Sequence, residues 1–374
     1  MTRLAIVRQK YNPAGGAERF VSRALAALSE QGDLEVSLIA RKWEPLSGVT
    51  AIAVNPFYLG SVWRDWGFAC LARRVWRREK FDLVQSHERI AGCDIYRAGD
   101  GVHRHWLHLR RRVLSPWQRI SLQLNPYHHY VKWMERRMLL HPRLKLVICN
   151  SEMVKKEIQH YFNLPDQQFA VIYNGVDTEA FHPSLREENR QTMREQYQVP
   201  QEAPLLLYVG SGFERKGVER ALTSIIPHRA VHLVIVGSDK HADFYKKLAI
   251  GLGLIDRVRF VGAQNDVKPF YGMADAFILP TLYDPFPNVC VEALSSGLPV
   301  FTSLQCGAAE LLVNGENGWV SDALDVPAFQ HNIGLWLNGV QEWPLLQEKA
   351  RRTAEKLTLT EMANKMRECY QRLM

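Results

Sequence analysis

The sequence predicts an α/β protein of two doubly wound units in tandem, each a mostly parallel sheet covered by helices. Three observations lead there. At 374 residues the chain is longer than one ordinary domain. Short β-type apolar runs alternate with helical patterns, which is how parallel strands joined by helical crossovers read in sequence. The strand-to-glycine opening at Leu4–Val7 also recurs at Leu205–Val209.

Leu4–Val7 is the first strand, followed by a loop with Gly15-Gly16. A helix then carries Ala17, Phe20, Val21, Ala24, Leu25 and Leu28 at 3–4 spacing, with Gly32 as its stop. Val36–Ala40, Phe81–Ser86 and Leu146–Asn150 read as further buried strands. Around residues 184–203 the character changes: Ser184–Arg190 is polar, and Pro200 and Pro204 flank a second beginning. Leu205–Val209 then runs into Gly210-Ser211-Gly212, with more strands at His232–Val236, Arg259–Val261, Ala276–Leu279 and Val300–Thr302. The domains are drawn as 1–170, 171–355, and a C-terminal helix, 356–374, packing back toward the first domain. The composition shift brackets the boundary between about 165 and 204.

Hydrophobic residues at 47% and charged residues at 23% describe a globular chain, not a disordered one. Four consecutive apolar residues at the start are too few for a secretory signal, and no stretch approaches the ~18–20 of a membrane span. The six cysteines form no C-x-x-C pair, which disfavours a disulfide framework or a zinc site and fits a reducing cytoplasm. Residues 1–145 hold 25 basic and 12 acidic residues, whereas 146–374 hold 22 and 27. The first half is therefore expected to meet something anionic.

The segment Tyr283–Leu294 carries the most chemistry. It follows a strand and leads into a helix that ends near Gly297-Leu298-Pro299. In an open α/β sheet, ligands sit beyond the carboxyl ends of the strands. Asp284 before the helix and Glu292 within it can grip two parts of one ligand, while helical N–H groups near Asn288 and Val289 meet a phosphate. On spacing alone, Asp284 reads equally well as a turn residue and Glu292 as a surface charge.

Asp284–Glu292 resembles the E-x7-E motif of family 4 retaining glycosyltransferases. That resemblance implies the GT-B fold, two Rossmann-like domains facing across a cleft. It gives Asp284 the sugar hydroxyls and Glu292 the nucleotide ribose, with Phe286, Asn288 and Val289 lining the donor site. The chain departs from the motif in having Asp first, one methylene shorter, and Pro287 removes a backbone donor. Phe213–Gly217 resembles the basic pair that binds the donor diphosphate; Arg215 can fork onto phosphate oxygens while Lys216 supplies a point charge. Gly15 and Gly16 resemble the family's N-terminal glycine loop, and Asn174–Asp177 with Phe181 and Pro183 its inter-domain signature. The blocks at 15–20, 210–217 and 283–299 are most similar to the WaaG (RfaG)-like branch, which makes lipopolysaccharide core. In that branch an Asp at the position of Asp100 lies near the transferred sugar, making Asp100 the acceptor-side candidate, with His103 beside it as a possible hydrogen-bonding partner or a structural histidine.

Residues 103–145 contain ten Lys/Arg, six histidines, three tryptophans and a single acid, Glu135. Arginines over an apolar, aromatic body suit an anionic membrane surface; the same composition describes a solvated basic face with its tryptophans in the core. No nucleic-acid module is visible, so no nucleic-acid partner is expected.

The resulting expectation is a retaining hexosyltransferase. It takes a UDP-sugar (UDP-glucose first, UDP-galacturonic acid next) and a heptose of the lipopolysaccharide inner core, on the cytoplasmic face of the inner membrane. No metal or other cofactor is expected, since positive side chains replace a divalent ion. Alternatives are another glycan acceptor, a UDP-sugar epimerase on the same architecture, and a non-catalytic carbohydrate-binding protein. A dehydrogenase is disfavoured: the first loop lacks G-x-G-x-x-G, and Val36–Ala40 ends in Arg41-Lys42 instead of an acid.

Overall fold

The computed structural model describes residues 2–9, 34–43 and 48–374. Gly15, Gly16 and the helix expected after them lie outside the described residues. The chain divides into two compact units, Met1–Asn174 with Leu359–Met374, and Gly175–Thr358.

Unit 1 is a seven-stranded parallel sheet in the order β3-β2-β1-β4-β5-β6-β7. Its strands are β1 Thr2–Val7, β2 Leu34–Ala40, β3 Thr50–Ala53, β4 Leu83–Ser86, β5 Ile95–Ala98, β6 Leu146–Cys149 and β7 Phe169–Val171. Successive side chains on a strand point to opposite faces, and both faces here are covered. Ala5 and Val7 join Phe68, Trp76 and Met138 in one apolar core. Leu4 and Ile6 join Met362, Met366 and Tyr370 of the C-terminal helix Leu359–Gln371 in the other. The Tyr370 hydroxyl donates to Gln85 Oε1 at 2.8 Å, satisfying two buried polar groups at once. The helices that frame the site are α1 Gly60–Glu79, α2 His103–Arg111, α3 Pro116–Leu124 and α4 Pro126–Leu139.

Unit 2 repeats the plan with six parallel strands in the order β10-β9-β8-β11-β12-β13. They are β8 Leu205–Val209, β9 His232–Val236, β10 Val258–Gly262, β11 Ala276–Leu279, β12 Val300–Ser303 and β13 Gly318–Ser321. The polar run at 184–190 opens helix α5, Leu185–Gln196. Its arginines face inward: Arg186, Arg190 and Arg194 all reach the buried Asp275, at 3.1, 2.8 and 2.8 Å. Removing one partner from such a buried network costs about 3–5 kcal/mol. What composition marked as a change of character is thus an integral part of unit 2.

In both sheets the strand order reverses once, between β1 and β4 and between β8 and β11. At such a switch point the connections leave in opposite directions and open a crevice at the strands' carboxyl ends.

Candidate active site

At the switch point of unit 2, β8 ends and a single helical turn, Phe213–Lys216, begins. The turn is brought close to β11 by Gly217, whose φ is +83° and where any Cβ would lie 2.1 Å from the Pro280 carbonyl oxygen. Leu282 N–H and the Thr281 hydroxyl both donate to the Arg215 carbonyl, at 2.7 and 3.1 Å, fixing the turn to the segment after β11. This backbone stitching sets the two basic side chains. Arg215 Nη1 donates to the Tyr283 carbonyl at 2.7 Å and lies 3.4 Å from Asp284 Oδ2. Lys216 Nζ lies 3.5 Å from that same oxygen, its side chain only 15% exposed.

Asp284 is itself held by its backbone. Its N–H donates to the Gln305 carbonyl at 3.0 Å, and its carbonyl accepts from Gly307 N–H at 2.9 Å. The site therefore offers two cations against one carboxylate, a local excess of positive charge suited to a diphosphate. Helix α6, Asn288–Ser295, begins four residues later behind Pro287, which is its N-cap and offers no side-chain cap. Asn288 and Val289 are half-buried in its first turn, where the helix dipole is positive, and Phe286 is buried. One turn along, Glu292 Oε2 accepts from the Tyr271 hydroxyl at 2.9 Å. Burial, then the Glu292 charge and this hydrogen bond, push the Tyr271 phenol well above its ordinary range, so it stays a donor. Sequence reasoning did not find Tyr271, because a tyrosine among Phe270 and Met273 reads as core.

Unit 1 has its own polar cavity, of about 160 Å³, at its switch point. Gln9 after β1, Glu88 and Arg89 after β4, and Asp100 after β5 meet Asp65 from α1 and Tyr127 from α4. Asp65 is the centre of the wall: Gln9 Nε2 and Arg64 Nε reach its Oδ1 at 3.0 and 2.7 Å, and the Tyr127 hydroxyl reaches Oδ2 at 3.0 Å. Glu88 Oε1 accepts from Gln9 N–H at 2.8 Å. Burial, with Asp100 adding to it, raises the Glu88 carboxyl despite that hydrogen bond. Asp100 is 61% exposed at the side chain, 3.9 Å from Arg89 Nη1.

His103 is joined to Asp100 only indirectly. Arg89 Nε and His103 N–H both donate to Glu135 Oε1, at 2.9 and 3.0 Å. The lone acid of the 103–145 stretch is thus a buried tie between two segments. The His103 ring contacts His128, Nε2 to Nδ1 at 3.1 Å. Burial first, then Arg89 and His128, push the His103 imidazole down to about 3, so it is neutral at pH 7.

The tryptophans of the basic stretch are not in a core. Trp117, Ile120 and Leu124, on one side of α3, are 82%, 51% and 72% exposed. Among the described residues no group of three His, Cys, Asp or Glu side chains is placed to hold a metal ion, and no helix is long and apolar enough to cross a membrane.

Two parallel Rossmann-like units, each with a polar site at its switch point, define the GT-B class of glycosyltransferase. Residues 14–180 match the family described as Glycosyltransferase Family 4, and residues 189–356 match Glycosyl transferases group 1; the chain belongs to the family 4 glycosyltransferases. Among its relatives, lipopolysaccharide glucosyltransferase WaaG of Escherichia coli (strain K12) is 25% identical over 85% of this chain and 84% of that one. An uncharacterized glycosyltransferase of Methanocaldococcus jannaschii is 34% identical over 46% of each, so the chain spans about half of that relative's length in the match. Among solved structures, WaaG superposes with a TM-score of 0.84 at 22% identity, over 98% of this chain and 99% of that one. Anabaena HepE in complex with UDP-glucose gives 0.75 at 19% identity, with both chains fully covered. Nothing in these relationships supports the epimerase alternative.

Proposed function

We propose that the protein transfers a hexosyl group from a UDP-sugar to a heptose hydroxyl of the lipopolysaccharide core, with retention of configuration. UDP-glucose is the first choice of donor and UDP-galacturonic acid the next; another glycan acceptor is the alternative. One observation carries the reading: Arg215 and Lys216 converge on the fixed carboxylate of Asp284 at the switch point of unit 2. The relatives named above supply the nucleotide and the glycan class.

In this reading the donor diphosphate takes over the two cations, and they oppose the negative charge that builds on the leaving UDP. The amino end of α6, at Asn288 and Val289, adds its dipole to the same oxygens. Asp284 turns its freed oxygens to the sugar hydroxyls, and Glu292, oriented by Tyr271, accepts from the ribose. Gly15 and Gly16 are assigned to the approach of the first loop to the diphosphate. Asp100 faces the acceptor in the unit 1 cavity. His103, neutral and tied to that cavity through Glu135 and Arg89, acts as a hydrogen-bonding group and not as an acid. No step requires a metal, since Arg215 and Lys216 supply the positive charge. The exposed side of α3 and the arginines around it dock the enzyme peripherally on the anionic cytoplasmic face of the inner membrane.

UDP release should be measured with UDP-glucose, UDP-galacturonic acid and UDP-N-acetylglucosamine, each with and without heptose-terminated core. Acceptor-dependent release from one donor identifies the sugar. Silence from folded protein with all three overturns the core-transferase reading.

A further inference from the structure

We infer that unit 1 carries a second anion site, for the phosphate group of a ligand, built from Arg73 and His141 beside Gly92, with the exposed Arg77 and Arg137 adding positive charge nearby. Gly92 has a φ of +96°, and a Cβ placed there would lie 3.7 Å from Arg73 Nη2 and 3.7 Å from His141 Nε2. The guanidinium and the imidazole therefore border one small space that no side chain fills. Both nitrogens are hydrogen-bond donors. His141 Nδ1 accepts from Arg143 N–H at 3.1 Å, which leaves the ring proton on Nε2.

The charges in this cluster are not balanced from within. Arg143 Nε is bound to Asp94 Oδ1 at 3.0 Å, and Asp94 Oδ2 also accepts from Val84 N–H at 2.9 Å, so that carboxylate is already committed. Among the described residues, Arg73, Arg77 and Arg137 have no carboxylate within ion-pair distance. Arg137 instead lies over the Trp133 ring, 5.1 Å from its centre. Burial, then Arg77 and Arg137, lowers the Arg73 guanidinium; burial, then Arg73, Arg137, Arg143 and Arg77, lowers the His141 imidazole. Like charges gathered without a counter-charge destabilise the apo protein and attract an anion. A guanidinium and an imidazole N–H bordering one space, with further arginine charge nearby, suit the several oxygens of a phosphate.

The position separates this site from the one used for transfer. Arg73 and Arg77 lie in the last two turns of α1, ahead of β4; Gly92 precedes β5; Arg137–Arg143 precede β6. All of these are at the amino ends of the strands, whereas Asp100 and its cavity are at the carboxyl ends. The inference is thus independent of the proposed transfer reaction. The phosphate can belong to a soluble phosphorylated molecule or to a phospholipid headgroup, and the chemistry recognised is the same.

Calorimetric titration with inorganic pyrophosphate tests this in a chain carrying Arg215→Ala and Lys216→Ala, so that the two cations of the unit 2 site do not contribute. One binding event is expected to remain. Arg73→Gln combined with Arg77→Gln should weaken it at least tenfold, while Arg78→Gln, whose arginine pairs with Glu79 at 2.8 Å, should leave it unchanged. Co-sedimentation with phosphatidylglycerol vesicles forms the second arm. Weakened pyrophosphate binding together with weakened vesicle binding assigns the site to a headgroup; weakened pyrophosphate binding with vesicle binding retained assigns it to a soluble phosphate, and unchanged pyrophosphate binding in the folded double variant overturns the inference. If the double variant does not fold, Arg137→Gln, on the exposed side of α4, must give the same weakening. A folded variant that binds both probes as the parent does overturns the inference.

Discussion

Lys216 Nζ rests 3.5 Å from Asp284 Oδ2, although the two residues come from separate strand-to-helix connections. Gly210 makes the approach possible, since a Cβ at that position would come within 2.8 Å of Lys216 Cδ. The lysine is thus held beside the acid before any donor arrives, and binding exchanges one anion for another without reorganising the loop. Lys216→Ala should lower kcat by about 10²–10³-fold, the range for losing one preorganised charge at a leaving group. Steady-state kinetics on a variant of unchanged melting temperature makes the check; a rise in KM alone, with kcat intact, contradicts the assignment.

Tyr271 should matter through Glu292. Its hydroxyl donates to Oε2 from a fully buried position, so Tyr271→Phe leaves the carboxylate short of a partner while keeping the ring in the core. A lost hydrogen bond to a charged group is worth about 1.5–3 kcal/mol. The expected outcome is at least a tenfold weaker Kd for UDP, with kcat at saturating donor changed less. Calorimetry with UDP separates the two; unaltered UDP affinity removes Tyr271 from the site.

How far the sequence could be read depended on where each segment's neighbours come from. β1, β8 and β11 carry continuous apolar runs, and β8 and β11 end against glycine or proline, so their pattern is visible locally. β5 was not visible, because Arg97 interrupts it, and its guanidinium is buried against Asn174 at 2.9 Å. β3 and β13 are four-residue edge strands with too little pattern to read. Asp284 and Glu292 could be placed before and within a helix because one continuous segment holds both, eight positions apart. Asp65, Glu88 and Tyr127 meet only after three distant connections converge, and no spacing in the chain announces that. The role of the α5 arginines was equally hidden: their partner Asp275 lies about eighty residues away and turns them inward.

A pH dependence of stability follows from His103. Its imidazole is pushed down to about 3 in the folded protein, against about 6.5 in an unfolded chain. The unfolded state therefore binds the proton first, and stability falls as pH drops from about 6.5 toward 3. Above that window both states are neutral and the group contributes nothing. His103→Gln removes this ionisation, so the variant should lose less stability than the parent between pH 6.5 and 4. Urea midpoints at each pH, compared between the two chains, give the measurement. Parallel curves would mean that His103 is not held neutral by its surroundings.

The exposed side of α3 gives the last prediction. Trp117, Ile120 and Leu124 stand at spacings of three and four, so one helix presents all three side by side. None is buried, so replacing them costs little folding free energy, and surface substitutions of this kind stay within about ±0.5 kcal/mol. Each large apolar side chain moved from water into the headgroup region contributes on the order of 1.5–3 kcal/mol to membrane affinity. Trp117→Ser with Leu124→Ser should therefore reduce binding to phosphatidylglycerol vesicles by at least tenfold while leaving the melting temperature nearly unchanged. Turnover of a soluble, delipidated acceptor should be retained, because neither residue lines the Asp100 cavity. If vesicle binding persists undiminished in the double variant, α3 is not the docking surface, and the arginines around it act without an apolar anchor.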